Sequence, residues 1–532
     1  MGERKIKVII ILLLIVASFI STLAPVWDPD CFWHLAFGRY IFENRSLVEK
    51  EPFSFIREGE ETVDLSWFPH LLFYSTYKYF GFRGCEILVS LFSILAMIFI
   101  ILTIQEMELS LTSLSLYFTI FFTAFIGRFK LRPEGVSLIC FSALMYLLMK
   151  YRKDGLKSKY PFILLFFIWT QIHPSWIYGL ILIPIFIFEK QNWLLKKILF
   201  KDWFFLFLAP IFSLFFNPYF YKPVIFPFNS FLVMRGDSSF RIAEWGASPF
   251  NLSTIPFLLI SVITLLFTLY QFFKKKETIL PLLISGIQTI FLFLWVRYSS
   301  FAFIALAPYA TKLFEEIISK IPKFQKAITV ITLLLFILPF ISIFQYRPTE
   351  RILKVNYPEE EVKFLLKNKI SGNIHHTFVA GGFIEFATYP YSKSFIDGRY
   401  FDFEKTIKEY ESANKDITKY KNILKKYPFE IAIVPYSEAK VLDPKSAIKR
   451  NAEALIFEKE EWAPIFYGPY GTVFVKREEK YYDKIEKFEF KILFPYDEEN
   501  IKRETFLNAF LKEELKKEIE RARKTGARFL ND

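Results

Sequence analysis

Long apolar segments recur through the first two thirds of this chain, and they constrain its fold more than any other feature. Several of them approach the roughly 20 residues that an α-helix needs to cross the ~30 Å hydrocarbon core of a bilayer. Of all 532 residues 53% are hydrophobic, including 66 phenylalanines. A water-soluble fold cannot bury that much apolar surface. The sequence therefore predicts a polytopic α-helical membrane protein.

We predict about eleven membrane-spanning helices within residues 1–346. The predicted spans are 8–26, 84–105, 109–127, 135–149, 160–172, 175–188, 203–216, 254–273, 279–296, 299–312 and 327–345. The two short spans that flank His173-Pro174 could instead form one broken helix. The first run ends in Trp27-Asp28-Pro29-Asp30 rather than in a small-residue cleavage site, so we interpret it as a span and not as a removed signal peptide.

The charges of the loops predict the orientation, because cytoplasmic loops accumulate Lys and Arg. With the N-terminus in the cytoplasm, the loops assigned to that side are basic: 150–159, 190–201, 274–276 and 312–326. The acidic turn at Glu106 and Glu108 is the exception. This distribution also accounts for most of the net charge of +13 without nucleic-acid binding. We expect a protein of the inner cell membrane whose C-terminal domain lies outside the cytoplasm.

The composition changes after Tyr346 to the mixed charged and apolar pattern of a globular domain. We predict a soluble α/β domain over residues 347–532, while residues of about 27–83 form the first extracytoplasmic loop of the membrane domain. The predicted elements of the C-terminal domain are a helix at 359–368, strands at 374–386, 393–396 and 429–435, a hairpin at 462–467 and 470–476, and a solvated surface helix over 498–527. The richness in Lys, Glu and Ile suggests a thermophilic source.

Polar residues of the membrane half collect on the predicted extracytoplasmic side. They are Asp28, Asp30, His34, Arg132, Glu134, His173, Asn217, Glu244 and Arg297. Ionisable residues near membrane depth are functional candidates, because their burial is costly. Taken singly, Arg132, His173 or Arg297 could merely reach the interface from a helix end. Their convergence on one face favours a site.

Two carboxylates, Asp28 and Asp30, directly follow the first predicted span. Such a pair can share a divalent cation, Mg²⁺ or Mn²⁺, with phosphate oxygens of a substrate, or one of them can act as a general base on an acceptor hydroxyl. The simpler interpretation is that one of them caps an amphipathic helix over residues 31–43. The three cysteines have no metal-ligand spacing.

An Asp-x-Asp motif at the start of the first extracytoplasmic loop, followed by an interfacial helix with Trp33-His34-Leu35 and Gly38-Arg39, resembles the C-type glycosyltransferase (GT-C) superfamily. The chain is similar to uncharacterised bacterial members with a C-terminal extracytoplasmic domain. Weaker matches are Trp67-Phe68-Pro69-His70, Arg132-Pro133-Glu134, Ile172-His173-Pro174, Asn217-Pro218-Tyr219, Glu244-Trp245, Arg297-Tyr298 and Phe395-Ile396-Asp397-Gly398-Arg399.

The resemblance implies roles for two carboxylates and two arginines, and it does not assign His34, His173 or Glu244. Asp28 would be the catalytic or metal-contacting carboxylate and Asp30 its acidic partner. Arg132 and Arg297 would bind the lipid phosphate, for which the two parallel hydrogen bonds of a guanidinium are suited. The other candidates for substrate binding are His34, Glu134, His173 and Glu244.

In the C-terminal domain, Asp397 and Arg399 are candidates for binding the acceptor or for docking the domain. Asp397-Gly398 could equally be a plain turn, and the nearby Gly381-Gly382 could mark a bulge or a close backbone approach.

The expected function is transfer of a sugar, with inversion, from a polyprenyl-phosphate-type lipid donor to a glycan, lipid or protein acceptor of the cell envelope. A transporter or flippase would also place charges in a membrane cavity, but no inverted repeat of broken helices is visible. A non-catalytic envelope protein with the same fold is a further alternative, because fold resemblance does not establish activity.

Overall fold

A computed structural model describes residues 3–26, 28–154, 158–190, 208–225, 254–275, 277–335, 349–414, 416–443, 446–506 and 508–530. The chain divides into two compact units. The first, which we call the membrane unit, comprises Met1–Val26 and Val63–Arg347. The second, which we call the sheet unit, comprises Trp27–Thr62 and Pro348–Asp532. The sheet unit thus combines the C-terminal region with a segment that was predicted to form the first loop of the membrane domain.

Helices dominate the described part of the membrane unit. They are α1 (Glu3–Thr22), α3 (Trp67–Glu106), α4 (Leu111–Ile126), α5 (Pro133–Asp154), α6 (Tyr160–Trp169), α7 (Trp176–Lys190), α8 (Ile255–Lys274), α9 (Leu280–Leu294), α10 (Ser299–Ser319) and α11 (Gln325–Leu335), with α2 (Asp30–Asn44) belonging to the sheet unit. Among the described residues, four helices are long and apolar enough to cross a membrane: Lys5–Thr22, Trp67–Glu106, Pro133–Asp154 and Ile255–Lys274. Several shorter apolar helices accompany them.

Close contacts between aromatic and small polar side chains hold these helices together. α4 packs on α10, where the Tyr117 ring stacks on Phe303 at 4.6 Å between centroids and its hydroxyl donates to the Phe303 carbonyl at 3.0 Å. α1 packs on α3, where the hydroxyls of Thr22 and Ser93 share a hydrogen bond of 2.8 Å. Such hydrogen bonds between helices, together with dense packing, stabilise helix association in a bilayer.

Two local features refine the predicted spans. α3 begins at Trp67, well before the predicted start at residue 84, and it is interrupted at Gly81, whose φ of 62° is readily adopted only by glycine. Near His173-Pro174, α6 ends at Trp169 and α7 begins at Trp176, so two helices flank a turn. The predicted spans over 203–216 and 327–345 lie partly outside the described residues, and their described parts are helical at 208–214 and 325–335.

A mixed four-stranded sheet forms the centre of the sheet unit. Its strands are β1 (Ile374–His375), β2 (Ile431–Pro435), β5 (Trp462–Tyr467) and β6 (Gly471–Lys476), in the order β1-β2-β6-β5, and β3 (Lys440–Leu442) pairs with β4 (Lys449–Asn451) in a separate ribbon. β1 lies parallel to β2, while the other neighbours are antiparallel. The predicted hairpin of β5 and β6 is confirmed. The remaining helices are α12 (Thr349–Asn356), α13 (Glu359–Lys367), α14 (Gly381–Thr388), α15 (Tyr400–Ala413), α16 (Ile417–Lys426), α17 (Ala452–Ile456), α18 (Tyr482–Phe488), α19 (Glu498–Thr505) and α20 (Ala509–Lys524).

Two predicted strands were wrong for most of their length. Within 374–386 only Ile374–His375 is a strand, and Gly381–Thr388 is a helix. The periodicity of a short apolar run does not distinguish a strand from a buried helix. In this segment tertiary packing favours the helix. The segment 393–396 forms only isolated bridges, Asn373 with Lys393 and Ser54 with Ser394.

The C-terminal tail is more than a solvated surface helix. It forms α19 and α20, and Ala522 and Glu518 of α20 are buried. The Glu518 carboxylate accepts hydrogen bonds from three successive backbone N–H groups, those of Lys491 at 2.6 Å, Ile492 at 3.1 Å and Leu493 at 2.7 Å. A buried carboxylate is tolerated because these donors replace water. α20 is therefore anchored to the sheet unit by a polar contact.

We predict that Glu518→Ala lowers the free energy of unfolding of the sheet unit by about 2 kcal/mol, because it leaves buried N–H groups without their acceptor. Thermal unfolding of the full chain in detergent measures the loss. Glu520→Ala on the same helix is the matched control, since Glu520 is exposed and only pairs with Lys524 at 2.9 Å. Equal effects of the two substitutions would contradict the anchoring role of Glu518.

Candidate functional site

Asp28 and Asp30 lie where the chain enters α2 in the sheet unit. Asp28 is buried, and its Oδ1 accepts the backbone N–H of Asp30 at 3.1 Å, while its carbonyl accepts the N–H of Cys31 at 3.0 Å. Asp30 is the first residue of the helix. A carboxylate at this position is stabilised by the orphan N–H groups of the first turn. The Asp28 side chain thus holds the first residue of α2, which is close to the capping role of the simpler interpretation.

The glycines singled out in the sequence lie against this turn. A β-carbon at position 382 would come within 2.9 Å of the backbone nitrogen of Trp33 and 3.3 Å of the carbonyl of Pro29. A β-carbon at position 398 would collide with Oδ1 of Asp30. Gly382 and Gly398 therefore mark close backbone approaches, and they allow the first turn of α2 to lie directly against the C-terminal segment.

Beside Gly398, Arg399 is surrounded by three buried carboxylates, those of Glu51, Glu385 and Asp397. Its Nε donates to both oxygens of Asp397 at 2.9 and 3.0 Å, and its Nη2 lies 3.3 Å from Oε1 of Glu51 and 3.3 Å from Oε1 of Glu385. The guanidinium also lies over the Phe37 ring of α2, 4.9 Å from its centroid. We call these four charged residues the Arg399 cluster.

The carboxylates of the cluster differ in protonation. Burial, and then the charge of Asp397, raise the pKa of Glu385 well above its usual value. Burial would also raise the pKa of Asp397, but the charge and hydrogen bonds of Arg399 outweigh it and hold that pKa below its usual range. The ionised form is therefore favoured at Asp397 and the neutral form at Glu385, which limits the excess negative charge around one guanidinium.

The Arg399 cluster joins distant parts of the sequence. Glu51 also accepts the N–H groups of Phe53 at 2.9 Å and Ser54 at 3.1 Å, so Arg399 and the segment that follows α2 share one carboxylate. The Ser54 hydroxyl in turn donates to the Phe395 carbonyl at 2.9 Å. Asp397 and Arg399, which the sequence indicated as candidates for docking or acceptor binding, thus make contacts with segment 27–62 inside the sheet unit.

His34 lies one turn into α2 and is buried, with its ring 3.7 Å from that of Trp33 between centroids. Trp33 in turn is the residue against which Gly382 and Gly398 pack. His34 therefore belongs to the same local cluster as Asp28 and Asp30.

A second charged cluster occupies the membrane unit. Glu134, at the start of α5, is buried and lies between two guanidinium groups, with Arg128 Nη2 3.0 Å from its Oε2 and Arg297 Nε 3.3 Å from its Oε1. His173 is close enough for the charges of all three to act on its ring, while its Nδ1 accepts the Ser175 N–H at 3.1 Å. We call these residues the Glu134 cluster. The structure thus brings together three of the predicted residues, Glu134, His173 and Arg297.

The roles predicted for Arg132 and Glu244 stay predictions. Arg132 is half-buried in the turn before α5. The guanidinium that lies beside Glu134 together with that of Arg297 belongs to Arg128, which was not among the predicted site residues. Both arginines belong to one alternating segment, Arg128-Phe129-Lys130-Leu131-Arg132. Their spacing alone does not indicate that Arg128 lies beside Glu134. Glu244 lies outside the described residues.

A buried Asp–His pair was also missed. His70 Nδ1 lies 3.0 Å from Oδ2 of Asp64, whose other oxygen accepts the N–H of Ser66 at 2.9 Å, at the beginning of α3. The charge of His70 acts on His173, so the pair adjoins the Glu134 cluster. The signal in the sequence was an Asp six residues before a His at a helix start, a spacing that carries little specificity.

Within the described ranges, no group of three or more His, Cys, Asp or Glu side chains is arranged to hold a metal ion. Asp28 and Asp30 offer two carboxylates. Mg²⁺ commonly takes only one or two carboxylates from a protein and completes its shell with water and substrate phosphates. The two residues therefore fit a cation that binds together with a phosphate-bearing substrate.

The long apolar helices of the described ranges are consistent with a helical membrane protein. The chain is similar to the crystal structure of the Archaeoglobus fulgidus oligosaccharyltransferase in the apo form, with a TM-score of 0.52 and 12% sequence identity over 94% of this chain and 78% of that one. No protein-family model matches the sequence, and no curated protein matches it either. At 12% identity the similarity shows the fold. It supports the predicted GT-C-like fold, while the number of spans, the extracytoplasmic C-terminal domain and the narrower resemblance to bacterial members stay predictions.

We predict that two isosteric substitutions in the Arg399 cluster have unequal costs. Asp397→Asn removes an ionised partner of a buried guanidinium and lowers the free energy of unfolding by about 3 kcal/mol at pH 7. Glu385→Gln replaces a neutral acid with a neutral amide and costs less than about 1 kcal/mol. Thermal unfolding of the full-length variants measures both.

The pH dependence supplies the check on this assignment. If folding raises the pKa of Glu385, the folded protein is more stable while this group is protonated. The free energy of unfolding then decreases as the pH rises from the ordinary pKa of a glutamic acid through the raised pKa. Glu385→Gln should therefore lose less stability than the wild type as the pH is raised. Equal costs at pH 7 and identical pH profiles would contradict a neutral Glu385 beside an ionised Asp397.

Proposed function

We propose that this protein is a membrane glycosyltransferase that moves a sugar from a polyprenyl-phosphate-type lipid donor to an envelope acceptor on the extracytoplasmic face of the inner membrane. The observation that carries the proposal is the GT-C-like fold, which extends over 94% of the chain and is shared with an oligosaccharyltransferase. The carboxylates that follow α1 and the arginines around Glu134 supply groups suited to that chemistry. The N-terminus lies in the cytoplasm in this proposal.

Asp28 acts as the general base in the proposed reaction. Its carboxylate takes the proton of the acceptor hydroxyl or amide as the acceptor atom attacks the anomeric carbon. The bond between the anomeric carbon and the phosphate oxygen breaks, and the phosphate leaves with the electron pair. Attack opposite to the leaving group inverts the anomeric configuration. Asp30 is the acidic partner of Asp28 in this proposal. Its backbone N–H donates a hydrogen bond of 3.1 Å to Oδ1 of Asp28.

The Glu134 cluster provides the phosphate-binding groups. Two guanidinium groups share one carboxylate, which leaves one unit of positive charge in excess among these three residues. The Arg297 side chain is 23% exposed and so can reach a ligand. Arginine binds phosphate oxygens through paired hydrogen bonds and stabilises the negative charge that develops on the leaving group. Arg132, in the same turn as Arg128, adds to the basic character of this region.

A divalent cation, Mg²⁺ or Mn²⁺, fits the Asp28 and Asp30 carboxylates as part of the proposal. When bound, it would neutralise charge on the phosphate that leaves.

We predict that Asp28→Asn lowers transfer of radiolabelled sugar by about 10²–10⁴-fold, the range typical for loss of a general base. An asparagine oxygen can still accept the Asp30 N–H, so the fold is expected to survive. The assay uses purified full-length protein, a panel of polyprenyl-phosphate sugar donors and membrane extract as acceptor.

Asp416→Asn is the matched control for this measurement. Asp416 caps α16 through the N–H groups of Thr418 at 2.8 Å and Lys419 at 3.1 Å, which is the same structural task without a proposed chemical role. Transfer should be unchanged in this variant. Equal transfer by the wild type and by Asp28→Asn would remove Asp28 from the mechanism. If neither protein transfers sugar from any donor of the panel, the glycosyltransferase proposal is contradicted.

The cation is tested by its removal. We predict that dialysis against EDTA abolishes transfer and that added Mg²⁺ or Mn²⁺ restores it, because the phosphate would otherwise meet two uncompensated carboxylates. Asp30→Asn should raise the metal concentration needed for half-maximal activity. Full activity after EDTA treatment would contradict a role for the cation. The arginines alone would then stabilise the leaving phosphate.

A further inference from the structure

A polar cavity of about 360 Å³ opens in the sheet unit. It is lined by Asn356, Pro435, Tyr436, Glu438, Tyr470, Tyr496 and Arg528. Its volume is near the lower end of the range of small-molecule sites, roughly 300–1,000 Å³. A ligand that fills it has the size of one or two sugar rings. None of these residues belongs to the two charged clusters.

The tyrosines of the cavity are fixed by contacts with the surrounding wall. The Tyr436 hydroxyl donates to the Gly468 carbonyl at 2.9 Å, and the Tyr470 hydroxyl shares a hydrogen bond of 3.1 Å with Thr377. The buried Glu361 carboxylate accepts the N–H groups of Tyr470 at 2.8 Å and Gly471 at 3.0 Å, which holds this edge of β6 in place. A site with immobilised side chains binds its ligand without the cost of ordering them.

Tyr496 is held in an unusual backbone conformation. Its φ of 55° lies in the left-handed region, which bulky L-residues rarely adopt. Its ring packs against Phe529, at 6.2 Å between centroids, in the same turn that carries Arg528. Strained backbone that places a side chain at a cavity is often associated with ligand binding.

One residue of the cavity wall, Asn356, is the chain neighbour of a residue that contacts α2. Asn356 is followed by Tyr357, whose ring meets Phe32 of α2 at 4.7 Å and Phe383 of α14 at 5.5 Å. The charges of Asp28 and Asp30 and the hydroxyl of Tyr470 all act electrostatically on the Tyr357 hydroxyl. Tyr357 thus connects the proposed catalytic carboxylates to the wall of the cavity.

The chemistry of the lining favours a neutral, polyhydroxylated ligand. Three aromatic side chains present apolar surface with a polar end, while an amide, a carboxylate and a guanidinium supply both donors and acceptors. Glu438 and Arg528 cancel in formal charge, so the cavity has no positive excess of the kind that phosphate binding requires. A sugar ring, with apolar faces and hydroxyls around its edge, matches this combination.

We propose that this cavity is an acceptor-side subsite that binds a sugar unit next to the position where transfer takes place. The inference rests on the proposed function and specifies its acceptor as a carbohydrate. Tyr496 and Arg528 are its principal binding residues, and Glu361 is a positioning residue that acts through Tyr470.

The test is isothermal titration of the full-length protein with methyl glycosides of glucose, mannose, galactose and N-acetylglucosamine. The protein is kept in a detergent without a sugar headgroup, since such a headgroup would compete for the cavity. We expect at least one glycoside to bind with a Kd on the order of 1 mM, and Tyr496→Ala and Arg528→Ala each to weaken it about tenfold.

Two substitutions outside the cavity are the controls. Tyr482→Ala removes an exposed tyrosine of α18 and Arg523→Ala an exposed arginine of α20, and neither should change the affinity. Inorganic phosphate should not displace the glycoside. Absence of binding by every glycoside, an unchanged affinity in both cavity variants, or displacement by phosphate would each overturn the proposal.

Binding and transfer are read separately, so the two proposals can fail separately. Glycoside binding that depends on Tyr496, together with transfer that never occurs with any donor, would reject the proposed function and retain the subsite. Transfer that depends on Asp28, without glycoside binding in the cavity, would reject the subsite and retain the function.

Discussion

A guanidinium buried among carboxylates is stable only where its partners stay within hydrogen-bonding distance, because the loss of one partner leaves an uncompensated charge in a medium of low polarity. Arg399 is in this situation, with Glu51, Glu385 and Asp397 around it and 7% of its side chain exposed. Glu51 is 348 positions away in the sequence. The interaction therefore requires that segment 27–62 and the C-terminal region adopt one structure together. The glycines at 382 and 398 serve the same requirement, because any side chain there would separate the two segments.

This arrangement bears directly on the proposed chemistry. α2 carries Asp28 and Asp30 at its beginning and Phe37, over which Arg399 lies, two turns later. The orientation of the carboxylates is thus set by contacts with the C-terminal region rather than by α1 alone. A preorganised base must be held by residues that are themselves fixed. In this protein that support comes from a helix packed between Tyr357, Phe383 and the Arg399 cluster, so the C-terminal region contributes to the position of a residue near the other end of the chain.

The sequence allowed the class of protein to be predicted, because hydrophobic length and loop charge are local properties. It also singled out Asp397 and Arg399 as candidates for acceptor binding or docking, and that role stays a prediction. It did not identify Glu51 and Glu385 as their partners, because pairings across hundreds of residues leave no mark on spacing. The helix at Gly381–Thr388 was missed for a related reason: its apolar run is compatible with a strand until the packing against α2 is known. Arg128 was not singled out, because its pairing with Glu134 depends on the fold.

The Arg399 cluster and the Glu134 cluster both combine arginines with acidic residues, but in opposite proportions. In the sheet unit one guanidinium meets three carboxylates and is almost completely buried, so the charges are satisfied internally and the cluster serves to hold structure. In the membrane unit two guanidinium groups lie beside one carboxylate, and the side chain of Arg297 is 23% exposed. A side chain with that exposure can meet a ligand, whereas the guanidinium of Arg399 is enclosed by its partners. The difference in exposure agrees with the phosphate-binding task proposed for Arg297 and with a structural task for Arg399.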